Sequence, residues 1–160
     1  MFQAVTRKPI FYKKVKHMTK TFTTLIAALL LFGCIEKNSK VPEQKFEGIW
    51  EIHGRSMLNG VQIKIDKENN VLVGRVVKLN ENKYVKQFID SNDLWLYDIK
   101  RISNYEFKIT ENKIGNELFS LYGLTTTQVF TIQFIDDNTI GLATVNADPK
   151  KSSNIYKRIK

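Results

Sequence analysis

The sequence predicts an all-β fold, in which an antiparallel up-and-down meander of eight or nine strands closes into a small barrel. Three observations predict this class. From about residue 46 onward, apolar and polar residues alternate with a period of two, and no stretch repeats apolar residues at helical spacing for three turns. Clusters of Asn, Asp and Gly separate the alternating segments, as in tight hairpins. Closing the meander removes its two unpaired edges.

Nine segments follow the alternating pattern. They span residues 46–54, 61–67, 71–79, 94–101, 105–111, 117–123, 127–135, 139–146 and 154–160. Residues 82–90, in a longer connection, have room for a helical turn. Short hairpins in succession place consecutive strands side by side. About 115 residues in eight strands give a barrel whose interior is just wide enough for side chains or one small ligand.

The segment before the barrel has the layout of a secretory signal. Its first 20 residues contain six basic side chains and no acidic one, and an uncharged run of 11 residues follows, from Phe22 to Phe32. As a helix this run covers little more than half of a hydrocarbon core about 30 Å thick, so it is too short to span a membrane. We therefore expect a signal-peptide helix within residues 1–33. Met18 begins a signal of ordinary length, and we hypothesise that translation starts there, with residues 1–17 a gene-start artefact.

The signal ends in Leu31-Phe32-Gly33-Cys34, which resembles the lipobox of bacterial lipoproteins. In that family the Cys thiol is diacylated and the chain is cut just before it. The resemblance implies that a lipid on Cys34 anchors the protein to a bacterial membrane, preferably the outer membrane, on the cell-envelope side and outside the cytoplasm. The alternative is a buried Cys34 in a core helix, which the polar residues at 36–40 disfavour. Residues 34–45 are then the lipidated Cys and a flexible tether, and residues 46–160 the barrel domain.

The charge of the chain is concentrated in the leader. The chain has 25 basic and 16 acidic residues, a net charge of +9. Six of the basic residues lie in the signal, so residues 34–160 keep 19 basic residues against all 16 acidic ones and are close to neutral. We therefore expect no nucleic-acid partner. One Cys excludes an internal disulfide, and one Cys with two His cannot form a four-ligand zinc site. No metal and no cofactor are expected.

Two short motifs at the ends of the predicted domain resemble those of lipocalins and their small bacterial relatives. Gly48-Ile49-Trp50 begins the first strand, and Tyr156-Lys157-Arg158-Ile159 ends the last one. The resemblance implies a lipocalin-like barrel in which Trp50 plugs the closed end. It also implies that Arg158 lies across the indole face in a cation–π pair.

The alternation also assigns side chains to the barrel interior, starting from an inward Trp50. The inward set is Phe46, Gly48, Ile52, Val61, Ile63, Ile65, Val71, Val73, Val77, Trp95, Tyr97, Ile99, Tyr105, Phe107, Ile109, Phe130, Ile132, Phe134, Ile140 and Leu142. This set describes an ordinary filled core, or else an apolar cup for a ligand lined by Trp95, Tyr97, Phe107 and Phe130. Arg75 has inward parity as well and would bind a carboxylate or phosphate there. Alternatively, a bulge at Gly74 sends Arg75 to solvent.

Three function classes follow from these observations. The leading one is a non-catalytic, lipid-anchored, lipocalin-like envelope protein that binds a small apolar or amphipathic ligand in the barrel. The second is a protein-interaction module with a filled barrel, such as an inhibitor, an immunity-type protein or an envelope-assembly lipoprotein. The third is an enzyme that uses His53 with Glu51, but the chain has no nucleophile motif and no second His near this pair. We therefore expect no enzymatic activity.

Overall fold

The computed structural model describes residues 40–160. The predicted signal peptide, Cys34 and residues 35–39 of the predicted tether lie outside the described residues. Within them the predicted fold class is confirmed, because eight antiparallel strands form a closed barrel. Each strand pairs with the next one along the chain, and the last strand pairs with the first.

The strands are β1 (Gly48–His53), β2 (Gln62–Glu68), β3 (Val71–Lys78), β4 (Leu94–Arg101), β5 (Glu106–Asn112), β6 (Thr127–Asp136), β7 (Thr139–Ala143) and β8 (Ile155–Arg158). Two short α-helices, α1 (Lys83–Phe88) and α2 (Asn116–Leu121), lie in the connections between strands. Single 3-10 turns occur at Glu43–Phe46 and Pro149–Lys151. No helix among residues 40–160 is long and apolar enough to cross a bilayer.

The two ends of the barrel differ in the length of their connections. At one end, which we call the closed end, tight turns join β2 to β3, β4 to β5 and β6 to β7. The first of these turns uses Asn69 and Asn70, both with positive φ, as a two-residue hairpin requires. At the other end, which we call the mouth, the longer connections contain α1, α2 and the turn at Pro149–Lys151. The mouth therefore presents most of the irregular structure to solvent.

The predicted strand at residues 117–123 is wrong, because this segment forms α2. Leu118 and Leu121 are three residues apart, which suits a helix as well as an irregular strand over so short a segment. Gly115 precedes the helix with a left-handed φ of 68°, a conformation that a strand would not contain. The helical turn predicted at 82–90 is confirmed as α1, whose first amides donate to the side chain of Asn82.

The interior follows the predicted parity in most strands but not in β3. Val71 and Val77 are exposed, whereas Leu72 and Val76 are buried. Apolar residues occupy both faces of this strand, so alternation alone did not decide its orientation. Gly74 faces the interior and packs directly against Leu96, since a Cβ at residue 74 would lie 2.5 Å from Leu96 Cγ. The inward assignment of Val71, Val73 and Val77 is therefore wrong.

A register shift between β3 and β4 changes which side chains of β4 face the interior. Gly74 pairs with Leu96 and Arg75 pairs with Leu94, so Trp95 is an extra residue in β4. Trp95 and Leu96 are both buried as a result. The predicted inward placement of Tyr97 is wrong, because this residue pairs with Thr110, one position away from the inward pair Leu96 and Glu111. Tyr105 precedes β5 and is also exposed.

Aromatic side chains fill the interior near the closed end. The ring of Phe46 packs edge-on against Phe107 at a centroid distance of 4.7 Å and contacts Phe134 at 4.8 Å. Trp50 lies 6.1 Å from Phe134, and Trp50, Phe46 and Phe107 are fully buried. This half of the barrel is therefore a packed core.

Candidate ligand site at the mouth of the barrel

A buried ion pair lies inside the barrel mouth. Glu111 follows Phe107 and Ile109 on the inner face of β5, and its side chain is only 3% exposed. Arg55, in the connection between β1 and β2, donates from Nη1 to Glu111 Oε2 at 2.5 Å and from Nη2 to Oε1 at 3.2 Å. Two parallel hydrogen bonds of this kind offset part of the cost of removing both charges from water.

Two further side chains extend this ion pair into a network. The Tyr156 hydroxyl donates to Glu111 Oε1, and Trp95 Nε1 donates to the Tyr156 hydroxyl oxygen at 3.1 Å. Burial raises the pKa of Tyr156 well above 10.0, and the negative charge of Glu111 raises it further. The phenol therefore keeps its proton and serves as a donor to the carboxylate.

The Arg55 guanidinium is also held between aromatic rings. Its central carbon lies 4.9 Å from the ring centroid of Phe130 and 5.9 Å from that of Tyr156. Such cation–π contacts favour a charged guanidinium over an apolar surface. Its Nε is buried and has no hydrogen-bond partner among the described residues. Arg55 is thus fixed by its two Nη atoms and by ring packing.

A pocket of about 260 Å³, which we call the mouth pocket, opens directly above this network. Apolar side chains form most of its wall, and the ion pair forms part of its floor. It is lined by Arg55, Leu58, Trp95, Glu111, Asn112, Lys113, Ile114, Phe119, Gln128 and Phe130. Aromatic and aliphatic walls that also carry polar groups are typical of sites for small organic molecules.

A second pocket, of about 520 Å³, lies between α1 and α2 and is called the helix pocket below. It shares Trp95, Asn112 and Lys113 with the mouth pocket, so the two pockets adjoin. The remaining lining residues are Gln87, Phe88, Ile89, Asp90, Asp93, Leu94, Gly115, Asn116, Glu117, Leu118 and Leu121. Its acidic side chains make this part of the mouth more polar.

Helix α2 forms a loosely packed wall of both pockets. None of its residues is buried, and Leu121 is 83% exposed. Tyr122, directly after the helix, is 74% exposed. The segment lies between Gly115 and Gly123, which both have positive φ values that other residues adopt only with strain. This wall therefore exposes apolar side chains, Leu121 and Tyr122 above all, to solvent.

At the closed end, Trp50 and Arg158 contact each other directly. The Arg158 guanidinium lies 4.1 Å from the Trp50 ring centroid, and Trp50 Nε1 donates to the Phe46 carbonyl at 2.7 Å. Arg158 also donates from Nη1 to the Glu47 carbonyl at 2.7 Å and from Nη2 to the Lys45 carbonyl at 2.5 Å. Gly48 of β1 leaves room for the Arg158 side chain, because a Cβ at residue 48 would lie 2.6 Å from Arg158 Nη1.

The structure separates the residues predicted to line one cup. Trp95 and Phe130 line the mouth pocket, whereas Phe107 packs in the closed-end core and Tyr97 lies on the outer face. Arg75 faces outward, where its Nε donates to Glu68 Oε1 at 2.6 Å, so its inward alternative is wrong. Its direction follows from the parity of β3, which places Gly74 inside.

His53 and Glu51 form the predicted pair but line neither pocket. His53 Nε2 lies 2.9 Å from Glu51 Oε1, and both side chains are partly exposed on β1. Among residues 40–160, no group of three or more His, Cys, Asp or Glu side chains has the arrangement of a metal site.

Sequence reasoning missed three members of the network: Arg55, Glu111 and Tyr156. A signal for Glu111 was present, because it shares the parity of Phe107 and Ile109. No periodic pattern points to Arg55, because it lies in an irregular connection.

Comparisons with protein-family models, with curated proteins and with solved structures find no match to this chain. The closed eight-stranded antiparallel barrel is consistent with a lipocalin-like barrel fold. The fold and the site geometry therefore carry the functional argument.

Proposed function

We propose that this chain is a non-catalytic, lipid-anchored, lipocalin-like protein of the bacterial cell envelope that binds a small amphipathic ligand at the barrel mouth. The mouth pocket carries this proposal, because its apolar walls surround a neutralised, hydrogen-bonded ion pair. Packed aromatic rings occupy the half of the barrel near the closed end, which favours the mouth over a deep cup as the position of a ligand.

The network supports binding rather than catalysis. Both oxygens of Glu111 accept hydrogen bonds, from Arg55 and from Tyr156. A general base must have a lone pair within reach of the proton that it removes, and a nucleophile must be exposed to its substrate. Glu111 is committed to its partners and buried, and the high pKa of Tyr156 keeps its hydroxyl from acting as a base at neutral pH.

The start of the described chain fits attachment at the closed end. The Val41 amide donates to the Asn104 carbonyl at 3.0 Å, and Arg101 Nη2 donates to the Val41 carbonyl at 2.6 Å. Lys45 pairs with Asp137 at 2.7 Å, in the turn between β6 and β7. Residues 41–45, expected to be tether, are thus held against the barrel. The described chain therefore enters the barrel domain at its closed end.

Native mass spectrometry of the protein extracted from its own membrane tests the proposal. We expect one bound small molecule per chain. Gln128 is exposed at the pocket rim and pairs with the inward Glu111, so Gln128→Trp should fill the pocket and displace the molecule. Val129→Trp, at the next position on the outer face of β6, is the matched control and should retain it. An unliganded protein, or retention in Gln128→Trp, would contradict the proposal.

Protein interaction is the second candidate function, and the exposure of α2 favours it. Leu118, Leu121, Tyr122 and Leu124 present an apolar surface beside the mouth. In this case an envelope protein, rather than a small molecule, would cover these side chains. Cross-linking in membranes to a defined partner, lost in Leu121→Ser and retained in Gln128→Trp, would favour this function over ligand binding.

A further inference from the structure

We propose that the mouth pocket selects a monoanionic amphiphile, with its carboxylate bound by the Lys113 ammonium and its apolar body against Trp95, Phe119 and Phe130. This inference rests on the proposed function and names the ligand class of the same site.

The charge balance of the pocket lining gives the sign of the ligand. Its charged side chains are Arg55, Glu111 and Lys113. Arg55 and Glu111 neutralise each other through two hydrogen bonds. Within the mouth pocket, the Lys113 ammonium is therefore the one charge without an ionic partner, and it attracts an anion.

Lys113 has hydrogen-bonding capacity to spare. Its Nζ donates to the Thr125 carbonyl at 3.0 Å, which uses one of the three donors of an ammonium. Among the ion pairs of residues 40–160, none involves Lys113. A ligand carboxylate would supply the missing acceptors.

The neighbouring helix pocket determines which way the ligand lies. Lys113 is at the boundary of the two pockets, whereas Asp90, Asp93 and Glu117 line the helix pocket alone. These acids repel an anion that moves further toward α1. The carboxylate is thus held at the boundary, and the apolar body occupies the mouth pocket, whose volume of about 260 Å³ suits a short acyl chain or a single ring system.

Three probes of equal chain length test this selection: octanoate, octanol and octylamine. They are titrated into the full chain in a nonionic detergent, with protein-free detergent as the blank, by calorimetry and by tryptophan fluorescence. The chain has two Trp residues, of which Trp50 is fully buried at the closed end and Trp95 lines the pocket. We expect octanoate to bind about tenfold more tightly than octanol, the value of one charge-assisted hydrogen bond, and octylamine to bind most weakly.

Lys113→Gln should reduce the preference for octanoate over octanol to within about twofold, because the amide keeps the polarity and removes the charge. Lys108→Gln is the matched control. Lys108 lies on β5, which ends just before Lys113, and its side chain points outward and is exposed. Its preference should be unchanged. The octanoate affinity of the wild type should also fall with added salt, whereas the octanol affinity should not.

The outcomes separate this inference from the proposed function. Equal binding of octanoate and octanol, or a preference that survives in Lys113→Gln, would overturn the anionic assignment and leave a ligand-binding mouth. Tighter binding of octylamine would reverse the sign of the ligand. If none of the three probes binds, both the assignment and the proposed function fail.

Discussion

Replacing Glu111 with alanine should cost the protein much of its stability, because it leaves the Arg55 guanidinium unpaired inside the mouth. The Arg55 side chain is 16% exposed and that of Glu111 is 3% exposed, so little water would replace the lost carboxylate. Breaking a buried ion pair from one side costs about 3–5 kcal/mol. The Tyr156 hydroxyl also loses its acceptor, which adds about 1 kcal/mol. Since Arg55 retains some solvent, we expect a total of about 4 kcal/mol.

Stepwise removal of the network separates these contributions. The double variant Arg55→Met/Glu111→Leu has no unpaired charge and should lose only about 1–2 kcal/mol, mainly from the unsatisfied Tyr156 hydroxyl. Adding Tyr156→Phe should recover little of that loss, because it removes the unsatisfied hydroxyl but leaves the buried Trp95 Nε1 without its acceptor. Glu68→Ala is the surface control, because it breaks the exposed pair with Arg75 and should cost less than about 1 kcal/mol.

Urea unfolding of each variant, followed by circular dichroism and by tryptophan fluorescence, gives the free energies directly. If Glu111→Ala costs no more than Glu68→Ala, the Arg55–Glu111 pair does not act as a buried ion pair. If the double variant is as unstable as the single one, the unpaired guanidinium is not the source of the cost.

Three further predictions concern other parts of the barrel. Arg158→Lys should lower the free energy of unfolding in urea by about 2 kcal/mol, because one ammonium cannot stack on Trp50 and also reach both backbone carbonyls. Gly141→Ala should cost about 3 kcal/mol in the same assay, because its Cβ would lie 1.9 Å from the Pro149 carbonyl oxygen; a loss near zero would show that this turn moves aside freely. Above about pH 10 the unfolded chain releases the Tyr156 proton while the folded protein, whose Tyr156 pKa is raised, retains it, so stability should fall by about 1.4 kcal/mol per pH unit. Urea titrations across this pH range should show that Tyr156→Phe has the shallower decline, and equal slopes would contradict the burial of the phenol.

The sequence was sufficient for the architecture because the architecture depends on local, repeated signals. Alternation and turn residues identify a meander, and edge pairing favours its closure. Alternation failed to predict the structure where a strand is apolar on both faces and where a segment is too short to show a period. In β3, apolar residues lie on both faces, and the tertiary packing of Leu72, Gly74 and Val76 shows which face is inside. In α2, a segment of six residues is too short for its period to be read.

The candidate site was predictable only in part, because it depends on contacts between distant residues. Trp95 and Phe130 were assigned to the interior and do line the mouth pocket. Glu111 had the correct parity, but its burial becomes plausible only when a partner is known. That partner, Arg55, is 56 residues away in an irregular loop. No periodicity in either segment predicts their meeting.

Amide chemical-shift mapping by NMR, with octanoate added to the labelled full chain, tests the central claim most directly. If the mouth binds the ligand, the shifts should cluster at residues 55–58, 94–95, 111–114 and 128–130, and the closed end around Trp50 should be unaffected. Shifts centred on the closed end, or no shifts at saturating octanoate, would contradict ligand binding above the Arg55–Glu111 pair.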